Sequence, residues 1–336
     1  MNGELQRLQA GQTLGEEEMY RLISAIVAGQ STEEQIEAFL LACNRRQPTP
    51  EELAGAAKAL LSAAQPFPCQ ESCADSCGTG GDGVGSLNIS TAAALVAAAA
   101  GLPVAKHGNR SVSSRSGSAD VLEQLGFRID PCTELAQLSL KETGFCFLFA
   151  PLYHSGVRHA MPVRRRLGVR TIFNLLGPLV NPAHPAFHLL GVAEPDLVPL
   201  LAETCARLGT RRALVVHGSG MDELAIHGPS SGLLLENGRL SPFACSPAEC
   251  GLPVYDRLAL AGGDPRRNAE ELEALLQGRG RRAYRDAVAL NAGALLWLAG
   301  MVADLPGGVA RAGELIDAGS AVQVLARGKE LSHGPR

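Results

Sequence analysis

The chain has 336 residues, long for one domain and comfortable for two at roughly 100–200 residues each. Its 46% hydrophobic and 19% charged residues suit a large buried core and exclude disorder and collagen-like repeats. A net charge of −4 argues against broad nucleic-acid binding, which needs a basic surface to displace counterions. The longest apolar stretches, 91–105 and 292–303, fall short of a membrane span, and the first is interrupted by Pro103. Residues 1–12 are polar and acidic, unlike a secretory leader, so a cytoplasmic protein is expected. Nine cysteines form an odd set that does not suit a secreted disulfide framework. Cys69, Cys73 and Cys77 recur every four residues but lack a clustered fourth ligand, so they read as reduced thiols.

The first 65 residues read as helices. Thr13 with Glu16 and Ser31 with Glu34 have capping-box spacing, in which a hydroxyl and a carboxylate satisfy free amides reciprocally. Pro50 stands at a first helical position, where its missing amide costs nothing. Leu22, Ile23, Ile26 and Val27, then Ile36, Phe39 and Leu40, follow helical spacing. The run 65–68, Gln-Pro-Phe-Pro, breaks the pattern and marks a boundary. Beyond it, strands are predicted at 102–105, 145–149, 187–192 and 213–216. Helices are predicted at 91–100, 119–125, 198–208, 269–277 and 281–303. Such alternation indicates an α/β domain with a largely parallel sheet. Residues 164–175 read as helical again and are assigned to the N-terminal helices.

Gly78-Thr79-Gly80-Gly81-Asp82-Gly83 satisfies the G-x-G-x-x-G pattern, but its context does not suit a dinucleotide fold. No Asp or Glu lies between Gly83 and Asp120 to take a ribose, and the next helix begins only near Ser90. What remains is a glycine loop able to turn its amides onto an anion. Asn88, Ile89, Ser90 and Thr91 then open an alanine-rich helix, whose free amides and dipole favour a second anion. Residues 106–118 follow a predicted strand and hold three cations, five serines and two glycines, a composition suited to a polyphosphate. Asp222 and Glu223, again after a strand, read as magnesium ligands completed by substrate phosphates. The pairs His154/His159 and His184/His188 lack zinc-protease spacing and read as non-zinc.

Together these segments, with the long run 169–182 (Val-Arg-Thr-Ile-Phe-Asn-Leu-Leu-Gly-Pro-Leu-Val-Asn-Pro), resemble the anthranilate phosphoribosyltransferase family. The resemblance implies a helical small domain, residues 1–66 with a return near 160–182, hinged to a large α/β domain of 70–158 and 185–330. That fold is of the nucleoside phosphorylase/phosphoribosyltransferase kind, with the active site in the cleft between the domains. The resemblance also implies a homodimer through the small domains, and transfer of the 5-phosphoribosyl group from phosphoribosyl diphosphate (PRPP) to anthranilate in tryptophan biosynthesis. It places PRPP on Gly78, Gly81, Asp82, Ser86, Asn88, Ile89, Ser90, Thr91, Lys106, His107, Gly108, Asn109, Arg110, Ser111, Val112, Ser113, Ser114 and Ser118. It places Mg2+ on Ser90, Asp222 and Glu223. It places the acceptor on Gly78, Asn109 and Arg164, with His107 and His154 lining its channel. Lys106 is the expected catalytic cation, opposing charge that grows on the departing diphosphate. The planar fork of Arg164 suits the acceptor carboxylate. Two rivals are a pyrimidine nucleoside phosphorylase of the same fold and a nucleic-acid-binding paralogue. The first needs base-edge recognition in place of Asn109 and Arg164, and the second needs a basic surface; neither feature is present. No nucleic-acid or membrane partner is expected.

Overall fold

The computed structural model describes residues 2–69, 72–111 and 115–334. Four helices come first: α1 (Asn2–Gln9), α2 (Glu16–Val27), α3 (Glu33–Asn44) and α4 (Pro50–Ser62). Helix α4 begins with Pro50 as expected, and it gains a cap in which the Thr49 hydroxyl accepts from the Glu52 amide and the Glu52 carboxylate accepts from the Thr49 amide. The two earlier caps lie further along than expected. The Glu18 carboxylate closes on the Gly15 amide, and Thr32 pairs reciprocally with Gln35. In each case a competing cap residue nearby satisfies the free amides equally well, and spacing alone does not choose between them.

The large domain follows in chain order with β1 (Ala74–Gly78), α5 (Ile89–Ala99), β2 (Val104–Gly108), α6 (Ser118–Gln124), α7 (Thr133–Thr143) and β3 (Phe145–Phe149). Short helices α8 (Ala150–Tyr153), α9 (Met161–Leu167) and α10 (Ile172–Leu176) lead back to the small domain. Then come β4 (Phe187–Gly191), α11 (Val198–Arg207), β5 (Arg212–Gly218), β6 (Ser230–Glu236) and β7 (Arg239–Cys245). Four helices close the chain: α12 (Pro265–Leu276), α13 (Arg282–Leu298), α14 (Leu305–Asp317) and α15 (Ala321–His333). Among the described residues no helix is long and apolar enough to cross a membrane.

The strands form one sheet in the order β3-β2-β1-β4-β5-β6-β7, parallel through β5 and antiparallel at β6 and β7. Helices α5, α13 and α14 bury one face, with Val104, Leu189, Leu214 and Val216 pointing into that core. Leu190, Ala213 and Val215 point the other way, into a core shared with α11, α10 and the small domain. The small helical domain therefore packs over one face of the α/β sheet.

Several expected boundaries move. Strand β1 reads as a loop in sequence because Ala-Asp-Ser-Cys-Gly has no apolar run, yet it is an interior strand of the sheet, between β2 and β4. Strand β2 continues through Lys106, His107 and Gly108, which the sequence pattern puts in the loop after it. The helix expected at 164–175 is two helices, because Gly168 adopts φ +63 and ends α9. The helix expected at 281–303 stops at Leu298, before Gly300 at φ +71. The antiparallel pair β6–β7 and helices α14 and α15 are additions to the predicted elements.

Candidate active site

The chain runs outward from β1 to β2 and β3, then returns to place β4 on the other side of β1. This reversal opens a crevice at the carboxyl ends of β1 and β4, where open α/β sheets receive ligands. Gly78 and Gly191 are register partners at that edge. The loop after β5 folds across both of them. A Cβ on Gly78 would strike the Asp222 carboxylate, and one on Gly191 would strike the Asp222 carbonyl. The loop is fixed from below by Asn291 of α13, whose side chain donates to the Leu224 carbonyl and accepts from its amide, both at 3.0 Å.

Asp222 Oδ2 accepts from the Gly80 amide at 2.7 Å, and Glu223 Oε1 accepts from the Ser90 amide at 3.1 Å. The first contact ties the pair to the glycine loop, and the second to the amino end of α5, where the helix dipole favours negative charge. Burial, then repulsion from Asp82, pushes the Asp222 carboxyl up to about 6. Burial, then repulsion from Asp222, pushes Glu223 up to about 8. Crowded, poorly hydrated carboxylates of this kind are relieved by a divalent cation, and an all-oxygen set suits Mg2+. Ser90 belongs to the same cluster through its amide on Glu223 and through its hydroxyl, which accepts from Lys106.

Strand alternation divides the neighbouring residues between two sides. Lys106 points to the α5 face and is only 2% exposed. Its ammonium donates to the Ser76 carbonyl at 2.5 Å and to Ser90 Oγ at 3.2 Å. His107 points to the opposite face, where its ring lies edge-on to His154 with centroids 5.3 Å apart. His107 Nδ1 lies 3.3 Å from the Gly177 carbonyl and His154 Nε2 lies 2.7 Å from the Val180 carbonyl. Burial, then the neighbouring His154, holds His107 down to about 3, so its ring is neutral. A single-residue step along the strand thus serves the anion side with a cation and the small-domain side with a neutral imidazole.

The loop after β2 is tied down at both ends by Asp120, whose Oδ2 accepts from the Ser111 and Gly117 amides at 2.9 Å each. The Asn109 carbonyl accepts from the Ser118 hydroxyl at 3.3 Å, and Asn88 Nδ2 donates to the Ser116 carbonyl at 3.3 Å. Arg110 is turned outward onto Glu123 and Asp120, so its guanidinium is already paired. The Ile89 side chain belongs to the core and its amide donates to the Leu87 carbonyl at 2.8 Å, while the Thr91 hydroxyl is buried. Asp82 accepts from the Val84 amide at 3.1 Å, and Ser86 bridges to Ala261 on the far rim. The Arg170 guanidinium lies against Gly81 from the small-domain side. Gly108 packs against Ser118 and Phe147. The remaining expected positions, Val112, Ser113 and Ser114, lie outside the described residues.

On the small-domain side, the guanidinium of Arg164 lies 5.1 Å from the Phe173 ring centroid. Its one polar contact among the described residues is the Met161 sulfur at 3.6 Å. Burial lowers its pKa from the ordinary value, but an arginine keeps its charge. A half-buried cation with no carboxylate beside it among the described residues is a site for an incoming anion. Its neighbour Arg166 is already committed to Glu33 and Glu37, at 2.8 and 2.9 Å. Residues whose positioning role is invisible in sequence are Gly191, Asn291 and Asn181. Asn181 binds the Asp75 carboxylate at 2.8 Å and the Ala105 carbonyl at 2.7 Å.

Two family models match the chain. The helical bundle domain of a glycosyl transferase family covers residues 4–64, and the a/b domain of that family covers residues 70–322. An anthranilate phosphoribosyltransferase of Sorangium cellulosum is 50% identical over 333 residues, 99% of this chain and 96% of the relative. The crystal structure of anthranilate phosphoribosyltransferase from Thermus thermophilus superposes with a TM-score of 0.93 at 43% identity, covering 98% of this chain and 99% of that one. The Saccharomyces cerevisiae enzyme in complex with PRPP and Mg superposes with a TM-score of 0.90 at 27% identity, covering 99% and 98%.

Proposed function

The chain belongs to the anthranilate phosphoribosyltransferase family, and we infer from its cleft how it carries out that family's reaction. It transfers the 5-phosphoribosyl group of PRPP to the amino group of anthranilate, releasing diphosphate, a step of tryptophan biosynthesis. The observation that carries the residue assignment is the meeting of Asp222, Glu223, the Gly80 and Ser90 amides and Lys106 at the switch point.

Asp222, Glu223 and Ser90 would hold Mg2+, which screens the charge of the donor's diphosphate when bound. The crowding of these carboxylates fits that ion. The loop from Gly78 to Asp82, Ser86, the start of α5 and the segment from Gly108 through Ser118 cradle the donor with amides and hydroxyls. Lys106 stands beside Ser90, where its charge opposes the negative charge that grows as diphosphate departs. The ribose carbon gains oxocarbenium character in that step, as in other glycosyl transfers.

Arg164 receives the acceptor carboxylate, while Gly78, Asn109, His107 and His154 shape the channel that aims the amine at the ribose. Neutral rings at His107 and His154 suit an aromatic acceptor, since charged ones would compete with Arg164 for its carboxylate. The amine is already nucleophilic, so positioning replaces a strong general base. With domain limits at 66 and 70 and the return at 160–182, Arg164 stands on the small-domain wall of the cleft and the other acceptor residues on the large-domain wall, where Gly78, His107 and Asn109 serve both substrates. The protein is a cytoplasmic homodimer joined through its small domains, which sedimentation of the purified chain tests.

Diphosphate release from PRPP with Mg2+, measured against anthranilate and a panel of other aromatic amines, tests the activity. Turnover confined to anthranilate-like acceptors is expected. Phosphate-dependent cleavage of pyrimidine nucleosides in place of that turnover would overturn it.

A further inference from the structure

The same sheet carries a second cluster of ligating side chains that the transferase chemistry does not use. Asp75 of β1 and His188 of β4 are register partners, and Cys77 is two residues along β1 on the same face. Their ligand atoms all lie within 4.8 Å of one another, and Cys77 Sγ is 3.1 Å from His188 Nε2. We propose that Asp75, Cys77 and His188 form a binding site for a divalent cation of the zinc class, distinct from the carboxylate pair at Asp222 and Glu223.

The donor set decides the metal. One sulfur, one imidazole nitrogen and one carboxylate oxygen are borderline-soft ligands that suit zinc, whereas Mg2+ requires oxygen and retains water. Charge closes as well. A thiolate and a carboxylate with a neutral imidazole cancel a doubly charged cation, which a buried site demands. Binding replaces the Cys77 S–H bond with a metal–sulfur bond and releases that proton to solvent. The carboxylate is already oriented by a second set of contacts: Asn181 Nδ2 at 2.8 Å on Oδ2 and the His107 amide at 3.3 Å on Oδ1. A cleft of about 80 Å³ lined by His188, Asn181 and Cys205 opens beside the His188 ligand.

The cluster does not include the other cysteines of the four-residue repeat, because Cys73 Sγ is directed to the Ala183 carbonyl at 3.9 Å. Nor does it use the pairing of His184 with His188; strand register, not local spacing, supplies the ligands. Since Asp75 holds the His107 amide, an ion here also braces the acceptor side of the cleft. The inference does not depend on the transferase assignment.

The test uses untagged, full-length protein stripped of metal and then saturated with Mg2+, so that oxygen sites are filled. Titration with Co2+ is expected to produce a thiolate-to-cobalt charge-transfer band at one equivalent, displaced by Zn2+. Cys77→Ser should abolish the band. His188→Gln, which retains a hydrogen-bonding partner for Cys77, should weaken Co2+ binding at least tenfold. If Cys77→Ser fails to fold, His188→Gln alone decides. Absence of the band in the unaltered chain would overturn the site. A band undiminished in either folded variant would do the same, by placing the metal on other thiols.

Discussion

The Asp222 carboxylate occupies the space that a side chain on Gly78 would fill. A methyl group there would collide with Oδ2 and press on the Asp222 carbonyl 3.0 Å away. The same loop covers Gly191, so the carboxylate pair can sit at the switch point only because both strand ends lack a Cβ.

Gly78→Ala should therefore displace Asp222 without unfolding the sheet. The Mg2+ concentration for half-maximal turnover is expected to rise about tenfold or more, equivalent to about 1.4 kcal/mol of lost binding. Turnover measured against Mg2+ at saturating substrates checks this, and an unchanged Mg2+ dependence would remove Asp222 from the metal site.

The raised carboxyls at Asp222 and Glu223 carry a signed pH dependence. In the metal-free fold the protonated forms are favoured. Their stabilising contribution is full below the ordinary carboxylate range and is lost as pH rises through about 6 and then about 8. Mg2+ needs the deprotonated pair, so its affinity should increase over the same interval. Melting temperatures with and without Mg2+, from about pH 5 to about pH 9, should diverge as pH rises. The double variant Asp222→Asn/Glu223→Gln should lose Mg2+-dependent turnover. Without metal at the alkaline end it should melt above the unaltered chain, because the repulsion between two crowded, poorly hydrated carboxylates is gone.

Arg164→Ala should raise the Michaelis constant for anthranilate by on the order of 10–150-fold, the loss of a charge-assisted contact of about 1.5–3 kcal/mol. The carboxylate is the same in ground and transition states, so turnover should fall much less. Arg166 cannot take over while it is held by Glu33 and Glu37. Steady-state kinetics with anthranilate varied provide the measurement; an unchanged constant would misplace the acceptor.

Lys106→Met keeps most of the buried volume but removes the ammonium that bridges the Ser76 carbonyl and Ser90. It should depress turnover and weaken PRPP binding while leaving the anthranilate constant nearly unaltered. Some loss of thermal stability should accompany it, because the Ser76 carbonyl loses its Lys106 donor. A variant impaired in stability alone, with normal turnover, would make Lys106 a structural residue.

Features that depend on neighbours along the chain are legible in the residues alone. The Thr49-Pro50-Glu52 start of α4 follows from amides that must be satisfied within one turn. The apolar cores of β2 to β5 follow from burial, and the glycine loop and the adjacent acids follow from residue chemistry. Strand β1 is illegible, because Asp75, Ser76 and Cys77 carry no apolar signal. Asp75 and Ser76 are buried because β2 and β4 flank β1, and the Asp75 carboxylate finds its partners in the His107 amide of β2 and in Asn181. The fold also sets Lys106 and His107 on opposite sides of the sheet, since both are strand residues where the sequence pattern indicates a loop. The contact of Cys77 with His188 joins residues 111 positions apart. It exists because the chain places β4 beside β1 in zero-offset parallel register, a choice made by the packing of two cores on one sheet rather than by any local pattern.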